Sequence, residues 1–175
     1  MKNTGYTMFE TALGMCALAW SDHGVTHVQL PEETNRDTEE RIMESTGLSA
    51  PTQPPPSVRQ AIERIARYLA GNSPDLSVIP IDTQEIPPFT ASVYEAARKI
   101  PPGSTLTYGE LARRIGKPRS ARAVGQALAR NPLALIVPCH RVLASDGRAG
   151  GFSAYGGLEI KARLLEIEGI QLQPG

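Results

Sequence analysis

The chain has 175 residues and no formal net charge, with 18 Lys+Arg against 18 Asp+Glu, and 41% of its residues are hydrophobic but only 5% aromatic. That length holds one ordinary domain or two small ones around an aliphatic core. No apolar run reaches the ~20 residues that cross a bilayer, the first twenty residues lack the basic region of a signal peptide, and two cysteines, Cys16 and Cys139, are too few for a disulfide framework.

A reduced, cytoplasmic setting follows as the expectation, away from membranes. His23 and His27 lie near Cys16, but nothing completes a tetrahedral ligand set, so no metal site is expected. The neutral total conceals an asymmetry. Residues 1–88 carry 6 Lys+Arg against 12 Asp+Glu, and residues 89–175 carry 12 against 6. The stretch 98–148 holds 10 basic residues to 2 acidic ones. Such a split fits an acidic part joined to a basic, polyanion-binding part, or two solvated surfaces of opposite sign.

In the first half, Thr11–Ala19 and Val25–Leu30 flank the turn Ser21-Asp22-His23-Gly24, the pattern of a hairpin. The charged run Glu32–Ser45 fits a helix or a loop. Ser49–Pro56 is proline-rich and reads as an exposed connection. Ser57–Ala70 reads as a helix, with Ser57 as N-cap, Val58, Ile62, Ile65 and Leu69 as its apolar stripe, and Gly71 as its stop. Val78–Ile81 fits a short strand. Ile86-Pro87-Pro88 marks a boundary. The expected organisation is an acidic α/β supporting domain over residues 1–87, a small sheet plus helix, followed by a mostly α-helical domain over residues 88–175.

The second half begins with a helix over Thr90–Lys99, ended by Pro101-Pro102-Gly103. Thr107–Ile115, with Thr107 as candidate cap, and Ser120–Arg130 are two short helices across the turn Gly116-Lys117-Pro118-Arg119. That is the pattern of a helix-turn-helix, or of any helical hairpin in a core. Arg113, Arg114, Lys117, Arg119, Arg122 and Arg130 surround it, opposed only by Glu110, and arginines beside helix N-termini suit phosphate contacts. Ala121, Ala123, Gly125, Ala127 and Ala129 make the second helix slim enough to approach another surface closely. Asn131-Pro132 ends it.

Leu133–Val137 is a continuous apolar run, read as a buried strand or extended segment that delivers Pro138-Cys139-His140-Arg141-Val142. A lone cysteine is usually an inert small hydrophobe. Cys139, with an imidazole and a guanidinium beside it, is instead a candidate nucleophile, and a thiol with a pKa near 8.5 needs a base at neutral pH. His140 is the base candidate in this half. Its other ring nitrogen needs an acceptor, and a final helix over about Gly157–Glu168, with Leu158, Ile160, Ala162, Leu164 and Leu165 inward, offers Glu159, Glu166 and Glu168. Glu168 sits in the last turn, where the helix dipole disfavours a carboxylate. A functional reason and a frayed, solvated end both account for that.

These residues resemble one family. Thr107-Tyr108-Gly109-Glu110-Leu111-Ala112, Ala121-Arg122-Ala123-Val124-Gly125 with Asn131-Pro132, Ile136-Val137-Pro138-Cys139-His140-Arg141-Val142, and Gly156-Gly157-Leu158 with Lys161, Leu164-Leu165 and Glu168-Gly169 are similar to the motifs of the methylated-DNA–protein-cysteine methyltransferases, the O6-alkylguanine-DNA alkyltransferases. The match is dense over about Phe89–Gly169. The resemblance implies single-turnover, irreversible DNA repair, moving an alkyl group from O6 of guanine (or O4 of thymine) to Cys139 without a cofactor. It implies His140 as base through a water, Glu168 orienting it, and Tyr108 assisting base rotation and the leaving guanine. Arg122 resembles the finger that fills the vacated stack, on a minor-groove helix with Ala121, Ala123 and Gly125 close to DNA and Arg119 beside it. Asn131 resembles the hinge that braces the active-site segment. The carbonyls of Cys139 and Val142 would read the guanine amino group, with Pro138 also lining the pocket. The partner implied is double-stranded DNA containing O6-alkylguanine, met by a monomer in the cytoplasm or nucleoid.

The loop Arg148–Gly157 departs from the family pattern by about two residues. Phe152 or Tyr155 would pack the alkyl group, and Ser153 or Tyr155 would offer an N–H near O6. Three other readings compete. A non-catalytic alkyltransferase-like lesion binder lacks the acceptor cysteine. A winged-helix regulator leaves Pro138–Val142 and Glu168 without a role. A cysteine hydrolase needs an oxyanion element that the sequence does not offer.

Overall fold

The structure is a computed structural model and describes residues 3–145 and 157–171. It divides into two compact units. The first comprises Met1–Glu85 with Pro132–Ile136, and the second Ile86–Asn131 with Val137–Gly175.

The first unit is built on three antiparallel strands, β1 (Gly5–Thr11), β2 (Gly14–Ser21) and β3 (Gly24–Gln29), in the order β1-β2-β3. The expected hairpin is present, but with a further strand before it. The Thr11–Ala19 run is broken by a turn ahead of Gly14, and β1 precedes that turn. Gly24 closes the β2–β3 turn at φ 141, and a Cβ there would lie 2.8 Å from the Pro80 carbonyl oxygen, so glycine is needed for both conformation and room. As the central strand, β2 is buried on both faces from Cys16 to Ser21. One face meets helix α1 (Asn35–Thr46), where Tyr6, Ala17, Ala19 and Ile42 form a cluster with Met8, Met43 and Leu48. The Glu32–Ser45 run is therefore helical, started by Thr34, whose hydroxyl accepts the Asp37 N–H.

Helix α2 (Pro56–Leu69) begins one residue earlier than expected, and Ser57 is not its cap. Pro56 occupies the first helical position, where its fixed φ costs no hydrogen bond. The buried stripe runs through Val58, Ala61, Ile65, Tyr68 and Leu69, with Ile62 half-buried. The expected strand at Val78–Ile81 is a 3-10 turn at Leu76–Val78, and only Ile81 bridges to Val25 of β3. The Val25 N–H bonds Pro80 O at 3.0 Å, and the Val28 N–H bonds Pro132 O at 2.8 Å. These contacts cap the open edge of β3. They also explain why Pro132–Ile136 belongs with the first unit, although its sequence position is beyond residue 88. The run Leu133–Val137, expected as a buried strand or extended segment, forms no regular strand: it carries isolated bridges around a turn at Leu135-Ile136.

The second unit is mostly helical, with α3 (Pro88–Arg98), α4 (Tyr108–Arg114), α5 (Ala121–Ala129) and α6 (Leu158–Ile167), plus two parallel two-residue strands, β4 (Leu106–Thr107) and β5 (Val142–Leu143). Val93, Tyr94, Ala97, Leu111, Val124, Leu128, Leu164 and Leu165 form its interior. A capping box starts α4: the Thr107 hydroxyl accepts the Glu110 N–H and the Glu110 carboxylate accepts the Thr107 N–H. The α6 stripe differs from expectation. Leu158 is 54% exposed, while Lys161 is fully buried. Among the described residues no helix is long and apolar enough to cross a membrane.

One buried carboxylate braces the first unit. Asp82 accepts the Ser21 hydroxyl at 2.6 Å and the Gln84 N–H at 2.9 Å. Burial alone would raise its pKa, but those two bonds, with the His23 charge, hold it below the usual carboxylate value. Its contribution to stability is therefore complete above the unfolded carboxylate pKa and is lost as pH falls through the folded one. Asp82→Asn should cost about 1–3 kcal/mol at pH 7, and the difference in melting temperature from wild type should shrink on titration to pH 3. A pH-independent difference would refute this account.

Candidate active site

The segment entering the site is tightly turned. Leu135 has φ 72, rare for a branched side chain, and the Ile136 N–H bonds Ala134 O at 2.9 Å across it. A second three-residue turn follows at Pro138 (φ −79, ψ 66), closed by the Cys139 N–H on Val137 O at 2.8 Å. The chain then forms the 3-10 turn Cys139–Arg141. The Asn131 side chain donates to Val137 O at 3.0 Å and also hydrogen-bonds the Cys139 thiol. Asn131 thus ties the end of α5 to the residue that carries the sulfur. Pro138, Cys139, His140, Arg141 and Val142 are all buried.

His140 Nε2 lies 2.8 Å from Glu168 Oε2, and both side chains are 1% exposed. The carboxylate accepts here, so Nε2 carries the proton and Nδ1 is the basic nitrogen. Of the three candidate glutamates, Glu168 is the partner, at the C-cap of α6. It is also the hub of a wider set. Arg141 Nε donates to Oε1 at 2.9 Å and Nη2 to Oε2 at 2.9 Å, while the Gly103 N–H reaches Oε1 at 3.3 Å. The remaining Arg141 nitrogen, Nη1, donates to Ile100 O at 2.6 Å. Sequence reasoning named Arg141 only as a neighbour of the cysteine and left Lys161 without a role. Lys161 Nζ donates to Val142 O at 2.8 Å. Two basic residues on buried faces, against the apolar periodicity, were the signal for both.

Burial dominates the titration of these groups. It pushes the Cys139 thiol up, although Asn131 and the Lys161 charge favour the thiolate. It pushes His140 down, aided by the Arg141 and Lys161 charges and opposed by Glu168. At neutral pH the resting pair is thus a thiol beside a neutral imidazole, and a base must remove the thiol proton. Burial, then the Cys139 charge, raises Tyr108, so its phenol keeps its proton.

Tyr108 opens α4, and Gly125 of α5 stands against it: a Cβ at Gly125 would lie 3.8 Å from the Tyr108 ring. On α5, Val124, Ala127 and Leu128 are buried while Arg122 and Ala123 are exposed and Ala121 and Gly125 are half-exposed. Arg113, Arg114, Lys117, Arg119 and Arg130 are exposed as well, giving a basic surface beside the slim helix. Phe152, Ser153 and Tyr155 lie outside the described residues. The structure thus brings Cys139, His140 and Glu168 into one buried cluster with the half-buried Asn131 at its edge, and it sets Arg122 and its neighbours on an exposed helix face.

The chain matches the family model described as 6-O-methylguanine DNA methyltransferase, DNA binding domain, over residues 88–170. It is 38% identical over 157 residues to a methylated-DNA–protein-cysteine methyltransferase of Methanothermobacter thermautotrophicus, covering 89% of this chain and 80% of that one. The constitutive enzyme of that name from Bacillus subtilis is 35% identical over 165 residues, covering 94% and 95%. Among solved structures, Mycobacterium tuberculosis OGT in complex with DNA superposes with a TM-score of 0.72 at 33% identity, over 93% of this chain and 91% of that one. The O6-methylguanine-DNA methyltransferase of Pyrococcus kodakaraensis gives 0.69 at 27% identity, over 94% and 98%. A buried Cys-His-Glu cluster beside a basic slim helix, with such identity across nearly the whole length of these relatives, establishes that the chain belongs to the methylated-DNA–protein-cysteine methyltransferase family.

Proposed function

We propose that the protein repairs DNA by moving an alkyl group from O6 of guanine in a duplex to Cys139, once per molecule. The observation that carries this reading is the 2.8 Å contact between His140 and Glu168 in the buried turn that begins at Cys139. It supplies a base of fixed tautomer to a thiol that burial keeps protonated. The same cysteine separates this reading from that of a lesion binder without an acceptor. The protein works as a monomer in the compartment that holds the DNA.

In this reading the substrate carbon is inside the base stack, so the nucleotide must leave it, at a cost of about a few kcal/mol. Arg122 enters the vacated position and offsets part of that cost. The surrounding arginines hold phosphates without reading sequence. The exposed, slim α5 face, with Ala121, Ala123 and Gly125, admits the minor groove. The carbonyls of Cys139 and Val142 accept the guanine amino group, and Pro138 lines the pocket.

The Cys139 proton then passes to His140 Nδ1 by way of a water. The sulfur electron pair forms the S–C bond, the C–O6 bond breaks, and its electron pair goes to the guanine. Tyr108 meets that developing charge with its phenolic proton at N3, and the proton held by His140 restores the balance. The thioether product cannot be displaced by water, so no second cycle follows. The residues 1–87 support this module, and the alkyl transfer resides in residues 88–175.

Incubation with a duplex containing O6-methylguanine should add one methyl mass to the Cys139 peptide, at most once per protein. Cys139→Ala should abolish the transfer while retaining binding to the same duplex. An unmodified wild-type protein would remove the catalytic assignment. Arg122→Ala should slow repair of the duplex by about tenfold or more, the effect of losing roughly one to two kcal/mol, yet leave reaction with free O6-benzylguanine almost unchanged. Equal losses on both substrates would refute the stacking role. Because His140 titrates below its ordinary value, the rate should stay flat from pH 8 down past pH 6.5 and fall only in more acidic solution. A decline centred at pH 6.5 or above would show that His140 is not the base.

A further inference from the structure

The end of α5 has one backbone acceptor out of step. A helix leaves its last carbonyls without intrahelical donors, and a buried carbonyl needs a partner. The Arg130 N–H bonds Gln126 O at 3.3 Å, in the α-helical pattern. The Asn131 N–H then bonds Leu128 O at 3.1 Å, one residue nearer than that pattern requires. Pro132 follows, and a residue before proline is turned away from helical backbone. The carbonyl passed over is that of Ala127, a buried residue. Its donor comes from another helix: the Tyr94 hydroxyl donates to Ala127 O at 3.1 Å.

Tyr94 lies on the buried face of α3 with Val93 and Ala97, and α3 packs on α5. It is 3% exposed. Phenylalanine would fill the same space with no hydroxyl to satisfy, so packing accounts for the ring and not for the oxygen. Burial pushes the phenol up to about 12, so it remains a donor well into alkaline solution. The residue that this exchange releases from the helix is Asn131. Its side-chain Nδ2 donates to Val137 O at 3.0 Å, and the same oxygen accepts the Cys139 N–H at 2.8 Å. The Val137 carbonyl therefore holds both the Asn131 amide and the turn that presents the thiol. An α-helix continued through Asn131 would pair its N–H with Ala127 O and swing its side chain around the helix axis, off Val137 O.

We propose that Tyr94 is a positioning residue of the transfer reaction: by occupying Ala127 O it holds the Asn131 backbone out of the helix and so aims the Asn131 amide at the Val137 carbonyl of the Cys139 turn. The inference rests on Cys139 being the alkyl acceptor. In this role Tyr94 exchanges no proton and needs no contact with the substrate. Its effect reaches the thiol through Asn131, so it vanishes when the Asn131 side chain is removed. A hydroxyl that merely satisfied itself in the core would act regardless of Asn131.

The test uses the full chain. The first-order rate of methyl transfer from a duplex containing O6-methylguanine is measured with protein in saturating excess, for wild type, Tyr94→Phe, Asn131→Ala and the double variant. Tyr94→Phe should slow transfer by about tenfold with duplex affinity unchanged, and should slow the Asn131→Ala protein by less than about twofold. Equal losses in the two backgrounds, or no loss in either, would overturn the proposal. A second readout does not depend on transfer. By NMR with 15N-labelled asparagine, the Asn131 side-chain amide should shift in Tyr94→Phe and lose its protection from hydrogen exchange. An unmoved Asn131 amide in a folded Tyr94→Phe protein would overturn the proposal. Independently of any variant's folding, the coupling across the hydrogen bond of the wild-type Asn131 backbone amide should reach the Leu128 carbonyl. Coupling to the Ala127 carbonyl would overturn the proposal. If wild-type protein takes no methyl from the duplex, the alkyl-acceptor reading fails, while both NMR measurements still decide whether Tyr94 places Asn131.

Discussion

The second unit depends on where one carboxylate is held. Glu168 ends α6, where the helix dipole works against a negative charge, and its side chain is out of water. It is stable there because Arg141 meets it with two nitrogens and the Gly103 N–H with a third donor. Removing Glu168 or Arg141 strands the other as a buried charge, which makes the two mutually dependent. Arg141 also ties the set to the end of α3 through Ile100 O. The turn, the last helix and the loop before β4 are thereby locked to one another through a single side chain.

That arrangement decides the chemistry available to Cys139. Had Glu168 only His140 for company, a full negative charge beside the ring would favour imidazolium. With Arg141 already neutralising the carboxylate, His140 is oriented without being charged, and burial holds it neutral. The low-dielectric setting acts on three neighbours in the same sense: it keeps the thiol protonated, keeps the imidazole neutral and weakens the hold of Lys161 on its proton. A site of this kind is quiet until substrate arrives, because the neutral states of all three groups are favoured together. The separation of functions is equally physical. The candidate acceptor sits in a desolvated turn, whereas the arginines of α4 and α5 stay solvated, as the proposed phosphate contacts require.

Much of this was legible in the residues, for identifiable reasons. Helix periodicity located α2, α3, α5 and α6, and Thr107 as candidate cap marked the start of α4, where the structure adds Glu110 as the second half of a capping box. The cysteine, histidine and arginine are consecutive, so their proximity required no folding information. Other features were invisible because they depend on distant partners. Leu133–Val137 has the composition of a strand, but it makes isolated bridges, such as that of Leu133 to Val28, and turns between them. Pro56 displaced Ser57 as the start of α2 because a fixed φ is already helical. The charges of Arg141 and Lys161 argued for the surface, and only tertiary contacts to Glu168 and Val142 account for their burial.

By itself the amino-acid sequence marked Cys139 as a candidate nucleophile, a thiol next to an imidazole at the end of an apolar run with a slim basic helix before it, and the resemblance of its motifs to one family implied the class of reaction. It determined as well that the neutral net charge is the sum of two opposed halves. The tertiary structure decided which glutamate orients His140, since three candidates on one helix differ only in which end meets the turn. It decided that Arg141 belongs to that carboxylate and that Lys161 faces inward toward Val142. These choices lie beyond local pattern because a buried charge is tolerated only where partners from remote segments converge, and convergence is a property of the folded chain.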